Sequence, residues 1–258
     1  MLEETRLHRI RALLSTLNRV STEQIIQHLG VSRETVRRDI LKLEARGMLR
    51  RVHGGIVATG PEPEPPLSIR RTVREKEKQA IARAAVQQLQ PGQTIFVDAG
   101  STTTLLADEL LSMPGMTIIT NSLNVALKLT AQEAEDRLLH EVILLGGHVG
   151  SAIQATNGAQ TANELRRYRA DVALMSPVGI SSAAGASSFS HTEAAIASAM
   201  IEYATTSIIL ADHTKIGVTS RVVYAPMSQI DRVVTDAAAE FNRDFSALQA
   251  CCQQMILA

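Results

Sequence analysis

The chain has 258 residues, 45% of them hydrophobic and 20% charged, with 26 Lys+Arg against 26 Asp+Glu. That length suits two domains and that balance supplies a real core, which excludes a lone small module and a disordered chain. Two adjacent cysteines, Cys251 and Cys252, exclude a disulfide framework and a structural zinc site and are expected as buried small side chains in the last helix.

The first residues, Met1 to Arg6, contain no apolar signal region, so a cytoplasmic protein is expected. Val172 to Thr192 is free of Asp, Glu, Lys and Arg, but its six serines, two glycines and proline are wrong for a membrane span, and no membrane partner is expected. The zero net charge conceals an asymmetry. Residues 1–60 hold 11 Lys+Arg and 6 Asp+Glu, a balance of +5, and residues 61–258 hold 15 and 20, a balance of −5. A basic head on an acidic body suggests that only the head meets a polyanion.

Three helices are legible in the head. Leu7, Ile10, Leu13, Leu14 and Leu17 repeat at helical spacing. Ser21 caps a second, short helix over 22–29, with Gln24 at the capping-box position, and Gly30 ends it. Ser32 caps a third helix that runs to Gly47. A short helix, a turn and a longer helix is an arrangement that presents a helix to a major groove.

On the third helix Val36, Ile40 and Leu43 share one side and should face the core. Taking 100° per residue from Val36, Arg37 lies near 100°, Arg38 near 200° and Thr35 near 260°, so Arg38 points away from the core with Arg37 and Thr35 on its flanks. Arginine can make a bidentate contact to guanine, and Ser or Thr can touch a phosphate or a thymine methyl. Leu41, at about 140°, fits neither side and is left between packing on the wing and meeting a partner. Met48 to Val57 places apolar residues around Gly54-Gly55, a hairpin signal, with Arg50, Arg51 and His53 beside the phosphate backbone. The DNA-binding candidates are therefore Ser32, Arg33, Thr35, Arg37, Arg38, Arg50, Arg51 and His53. A helical protein-interaction scaffold is the non-DNA alternative, and it predicts no salt-dependent DNA affinity.

The run from Val31 to Ile40 (VSRETVRRDI), followed by Arg50-Arg51-Val52-His53-Gly54-Gly55, resembles the signature of the DeoR family of bacterial repressors. The resemblance continues through Arg74 to Ala82 (REKEKQAIA) and most of the body. It implies a winged helix-turn-helix joined to a sensor domain similar in fold to ribose-5-phosphate isomerase, a repressor of sugar metabolism, and a phosphorylated sugar as effector. Double-stranded operator DNA, read by a homo-oligomer (dimer or tetramer), is the expected partner.

Four of the eight prolines fall between Pro61 and Pro66, a segment that can be neither helix nor central strand. The expected division is a head over 1–58, a semi-rigid linker over 59–67 and a sensor over 68–258. After the linker, 68–89 reads as one charged amphipathic helix. Short apolar runs at 94–97, 116–119, 142–145, 172–175, 207–210 and 232–234 read as buried strands, and helices are expected at 103–111, 123–129, 161–167 and 192–203. Such alternation predicts an α/β domain with a mainly parallel sheet.

The first of these strands ends in Asp98-Ala99-Gly100-Ser101-Thr102-Thr103, the second in Thr120-Asn121-Ser122 and the third in Gly146-Gly147. Each supplies backbone N–H groups, hydroxyls or open backbone at the edge where α/β sheets bind ligands, which suits a phosphate or another anion. Lys215 is either a counter-charge for that phosphate or a solvated lysine paired with Asp212, and Glu193 either contacts a sugar hydroxyl or caps its own helix. The effector candidates are Asp98, Gly100, Ser101, Thr102, Thr103, Asn121, Ser122, Gly146, Gly147, Glu193 and Lys215. A sugar-phosphate isomerase with an appended DNA-binding domain is the rival reading. Isomerisation needs placed carboxylates, and none lies between Asp171 and Glu193, so no catalytic residue is expected. His191 and His213 lack the spacing of a metal pair, and neither metal nor cofactor is expected.

Overall fold

A computed structural model describes residues 3–17, 19–57, 67–131, 133–134, 137–150 and 153–258. The chain divides into two compact units, Met1–Pro65 and Pro66–Ala258. All of the Pro-rich linker expected at 59–67 except Leu67 lies outside the described residues.

The first unit runs α1 (Glu3–Leu17), β1 (Arg19–Ser21), α2 (Thr22–Leu29), α3 (Arg33–Ala45), β2 (Arg50–Val52) and β3 (Gly55–Val57). Both caps read from the sequence are formed. The Ser21 hydroxyl accepts the Gln24 N–H at 3.1 Å while the Gln24 side chain accepts the Ser21 N–H at 2.9 Å, and the Ser32 hydroxyl accepts the Thr35 N–H at 3.2 Å. Leu7, Ile10, Leu14, Ile25, Leu29, Val36, Ile40 and Leu43 close one core with Val20, Leu49 and Ile56. The wing hairpin gains a third strand, because β1 pairs antiparallel with β3. Gly55 is obligatory there: a Cβ would lie 2.2 Å from the Val20 carbonyl oxygen. Leu41 is left exposed.

The second unit continues with α4 (Leu67–Thr72), α5 (Glu75–Val86), β4 (Thr94–Val97), α6 (Ser101–Leu110), β5 (Thr117–Thr120), α7 (Leu123–Thr130), β6 (Glu133–Ala134), β7 (Arg137–Leu138), β8 (Glu141–Leu144), β9 (His148–Gly150), β10 (Ala155–Asn157) and α8 (Ala159–Leu165). It ends with β11 (Ala170–Met175), β12 (Gly179–Ser181), β13 (Gly185–Ser188), α9 (His191–Glu202), β14 (Ala204–Leu210), β15 (Val222–Ala225), β16 (Arg232–Thr235), α10 (Phe245–Cys251) and β17 (Gln254–Leu257). The main sheet has the order β17-β16-β14-β11-β4-β5-β8, and every neighbouring pair is parallel. The strand alternation sorts side chains between two cores: Ile95 and Val97 pack with α5, α6 and α7, while Phe96 packs with α8, α9 and α10. Among the described residues, no helix is long and apolar enough to cross a membrane.

Two expectations need correction. The helix expected over 68–89 is broken into α4 and α5. Arg74 takes a left-handed conformation, φ 53°, and the buried Lys78 ammonium donates to the carbonyls of Arg70 (2.6 Å) and Val73 (2.8 Å), replacing the helical bonds lost at the break. Cys251 is exposed rather than buried, and Cys252 already lies past the helix, at its C-cap. The serine-rich run after β11 forms part of a small second sheet. Strands β12 and β13 pair there, and β15 adds to β13, while hydroxyls such as Ser187, bonded to the Gly179 carbonyl at 3.1 Å, satisfy themselves inside the small sheet.

Candidate functional site

In the head, α3 is braced at several points. Asp39 is 1% exposed, and both its oxygens accept from Arg6, at 2.7 and 3.1 Å. Lys42 holds both oxygens of Glu3 at 2.8 Å, Arg33 pairs with Glu23, and Arg51 pairs with Glu44 at 2.5 Å. Asp39 escaped the sequence reading, although at about 60° from Val36 it lies inside the apolar stripe. A carboxylate there demands a cationic partner, and that demand was the available signal.

Of the DNA-binding candidates, Ser32 and Thr35 are engaged with each other, their hydroxyls 2.9 Å apart. Arg37 and Arg38 are exposed and have no side-chain hydrogen bond or ion pair among the described residues. Arg50, Arg51 and His53 are exposed on the wing hairpin. Arg33, Arg37 and Arg51 line one groove of about 480 Å³ between α3 and the wing, with Thr22, Glu23 and Gly54.

The body places its candidates at the carboxyl ends of the parallel strands. The chain enters the sheet at β4, builds outward through β5 and β8, and then crosses to β11, β14, β16 and β17. The order therefore reverses between β4 and β11, the position where open α/β sheets form a ligand crevice. Asp98 follows β4 and Ser176 follows β11, and the Asp98 Oδ2 accepts the Ser176 N–H at 2.9 Å. Burial pushes the Asp98 carboxyl up to about 7, against the opposing pull of the Ser176 N–H, Lys215 and the Thr103 hydroxyl, while Glu193 adds a smaller upward push. Lys215 donates to the Ser176 hydroxyl at 3.5 Å and to the Pro177 carbonyl. Asp98, Gly100, Thr103 and Lys215 thus gather around Ser176, with the Glu193 charge felt at the Asp98 carboxyl.

Residues 101–104 open α6 and are all buried, with no side-chain cap on Gly100. The Thr103 and Thr104 hydroxyls donate to the Gly100 carbonyl at 3.1 and 2.6 Å. The Thr102 hydroxyl has no partner, nor do Asp98 Oδ1 and Asn121 Oδ1, although all three are buried. Asn121 uses its amide on the Thr156 carbonyl at 3.1 Å, and Ser122 caps α7 by accepting the Val125 N–H at 3.3 Å.

The double glycine after β8 packs against α8, and Gly146 also lines a cavity of about 580 Å³ with Gln160, Asn163 and Glu164. Gly146 donates its N–H to Glu164 at 2.8 Å and accepts the Thr161 hydroxyl at 2.7 Å. A Cβ on Gly147, φ 145°, would lie 2.1 Å from that same hydroxyl, so the close approach is made by α8 and not left open for a ligand. Glu193 does not cap α9. Ser190 is the cap, and Glu193 accepts the Ser188 hydroxyl at 3.0 Å. Nor is Lys215 only a solvated partner of Asp212. Burial alone would raise the Asp212 carboxyl, but Lys215, the Thr214 hydroxyl at 2.5 Å and Arg74 outweigh it and hold the group below its usual range.

Lys78 was missed. It is 3% exposed, and burial followed by the nearby Lys215 lowers its ammonium to about 8. Its spacing with Ile81, Ala82 and Ala85 marks it as core-facing, which is the signal a lysine in an apolar stripe offers. His191 is exposed, and His213 bonds Asp236 at 2.8 Å.

Residues 6–61 match the DeoR-like helix-turn-helix domain, and residues 73–237 match the DeoR C terminal sensor domain. The chain belongs to the DeoR family. It is similar to the "Glycerol-3-phosphate regulon repressor" of Escherichia coli (strain K12), 32% identical over 218 residues that span 84% of each chain. It is also similar to the "HTH-type transcriptional repressor GlcR" of Bacillus subtilis (strain 168), 35% identical over 237 residues, 92% of this chain and 89% of the relative. Among solved structures, ribose 5-phosphate isomerase A from Methanocaldococcus jannaschii overlaps 56% of this chain and 55% of its own, with 15% identity and a TM-score of 0.41. As a DeoR-family member the chain is a transcriptional regulator that joins a helix-turn-helix head to a sensor body.

Proposed function

We propose that this DeoR-family regulator is a repressor of sugar-metabolism genes. Its head, residues 1–58, binds operator DNA as part of a homo-oligomer. A phosphorylated sugar in the body, residues 68–258, changes that grip, and the segment 59–67 links the two. The names of the relatives support repression, and that of the Escherichia coli relative points to a phosphorylated three-carbon compound. One observation carries the effector assignment. Asp98 Oδ1, Thr102 Oγ1 and Asn121 Oδ1 are buried without partners, Asp98 and Asn121 just past the carboxyl ends of neighbouring parallel strands and Thr102 in the first turn of the helix after β4. Buried polar atoms are nearly always satisfied, so these fit a ligand that supplies the missing bonds.

In this reading the phosphate meets the uncapped N–H groups at Gly100–Thr103, Lys215 supplies the counter-charge, and Asp98, Asn121 and Glu193 meet sugar hydroxyls. On the head, Arg37 and Arg38 read bases from α3. Arg33, Arg50, Arg51 and His53, with Ser32 and Thr35, meet the backbone. The test is fluorescence anisotropy of the full chain on a duplex that it enriches from a random pool, with and without a panel of sugar phosphates. A change in DNA affinity with a phosphorylated sugar, absent with the free sugar, supports the reading, and equal effects overturn it. A ligand at about a hundred times its dissociation constant should also add about 2.7 kcal/mol of stability.

A second reading, catalysis, is favoured by the Asp98 carboxyl at about 7, where a proton-transfer group works best. Every relative above is named as a regulator, and we take the site as a binder.

A further inference from the structure

Glu44 puts a negative charge on the face that the preceding reading gives to DNA, and the inference drawn from it rests on that reading. It lies in the last turn of α3 and reaches across to β2. Its Oε1 accepts the Arg51 backbone N–H at 3.0 Å and its Oε2 accepts the Arg51 Nε at 2.5 Å. β2 is an edge strand, paired only with β3 among the described residues, so the Arg51 N–H has no other strand to bond. The terminal nitrogens of Arg51 take no bond among the described residues. Arg33 and Glu23 differ: there the carboxylate takes a terminal nitrogen, and both side chains are more than half exposed. Those two Arg–Glu pairs therefore do different things, one fixing backbone and Nε together, the other only shielding an exposed tip.

We propose that Glu44 is a positioning residue for DNA binding, which locks the wing against α3 and holds Arg51 with its terminal nitrogens free for a backbone phosphate. The hydrogen bonds from Arg51 also keep the Glu44 carboxyl below its usual range, so it stays ionised wherever the protein binds DNA. Simple electrostatics gives the opposite expectation, since deleting a negative charge from a DNA-facing surface should raise affinity.

The opposed signs make the test sharp. The full chain is titrated by anisotropy against a duplex enriched by the parent protein from a random pool and against a scrambled duplex, over about 50 to 200 mM salt. Glu44→Ala and Arg51→Ala should each weaken binding to the enriched duplex about tenfold and each lower the salt slope by about one. The double variant should be no weaker than Arg51→Ala alone, because both changes remove the same contact. Glu44→Gln keeps an acceptor for the Arg51 N–H and should fall between parent and Glu44→Ala. It carries the test should Glu44→Ala not fold. Unchanged or tighter binding by Glu44→Ala, or losses that add in the double variant, would overturn the proposal. If the parent itself shows no salt-dependent affinity for either duplex, the DNA-binding reading falls and the proposal falls with it.

Discussion

Asp98 bonds the Ser176 N–H at 2.9 Å across the two strands, β4 and β11, between which the order of the chain through the sheet reverses. The bond stitches the crevice shut on one side and leaves the other carboxyl oxygen buried without a partner. Burial raises this carboxyl from 3.8 to about 7, so the fold favours its neutral form. A raised acid contributes stability that is fully present below the unfolded value, near 3.8, and is lost as pH climbs through about 7. Asp98→Asn removes the titration. Its stability relative to the parent should therefore improve progressively between about pH 4 and pH 7, by at most on the order of 4 kcal/mol, and level off above. Urea unfolding across that range checks this, and a gap independent of pH would exclude Asp98 as the titrating group.

Thr102 separates stability from binding. Its hydroxyl is buried and unpartnered, so Thr102→Val should raise unliganded stability by about 1 kcal/mol, since a buried unsatisfied donor costs roughly 1–3 kcal/mol. The same change should weaken sugar-phosphate binding about tenfold if that hydroxyl bonds the ligand. Thermal unfolding and calorimetric titration measure the two. A stabilised variant with parental affinity would take Thr102 out of the site.

What was legible in the sequence was whatever is decided locally. Ser21 with Gln24, and Ser32 with Thr35, fix helix starts through bonds three residues apart, so the caps of α2 and α3 could be read directly. The central strands β4, β11, β14 and β16 are buried on both faces and announce themselves as apolar runs. The break before α5 was illegible because it carries neither proline nor glycine; Arg74 turns left-handed where the buried Lys78 ammonium takes the carbonyls of Arg70 and Val73. β17, an edge strand only partly buried, gave no such run. In the site, Asp98 and Lys215 were legible from strand-end chemistry, but their meeting at Ser176, 78 and 39 residues away respectively, is a property of the sheet order. Gly147 looked like ligand space for the same reason, because Thr161 of α8 fills the place of its side chain from elsewhere in the chain.

Asp39 and Arg6 should be a stability pair and not part of DNA reading. Asp39 is almost fully buried and both its oxygens are held by Arg6, so removing the carboxylate breaks two charged hydrogen bonds inside the head. Asp39→Ala should destabilise the head by about 3 kcal/mol, lowering its melting transition while leaving the body's own unchanged. Differential scanning calorimetry of the full chain resolves this. A single shifted transition would mean that the two units unfold together.

The last prediction is that the body turns nothing over. The candidate bases are Glu193 and Asp98, whose carboxyl is pushed up to about 7, and Lys215 is the candidate acid. Aldose–ketose exchange still needs a free base within about 3 Å of the carbon acid. Most of the groups here are already engaged by the protein, although Asp98 Oδ1 is not. Asp98 Oδ2 holds the Ser176 N–H, Glu193 Oε2 accepts the Ser188 hydroxyl at 3.0 Å, and Lys215 binds the Pro177 carbonyl. The segment after β11, where a further carboxylate would have to stand, offers only Ser176, Ser181 and Ser182, with no histidine or carboxylate in that segment to activate them. Ser181 is itself tied to Thr219 at 2.8 Å. Incubation with pentose and hexose phosphates in deuterated buffer, followed by NMR, should therefore show binding without deuterium incorporation. Incorporation that disappears in both Asp98→Asn and Glu193→Gln would instead make this sensor an enzyme, with those two carboxyls as its acid and base.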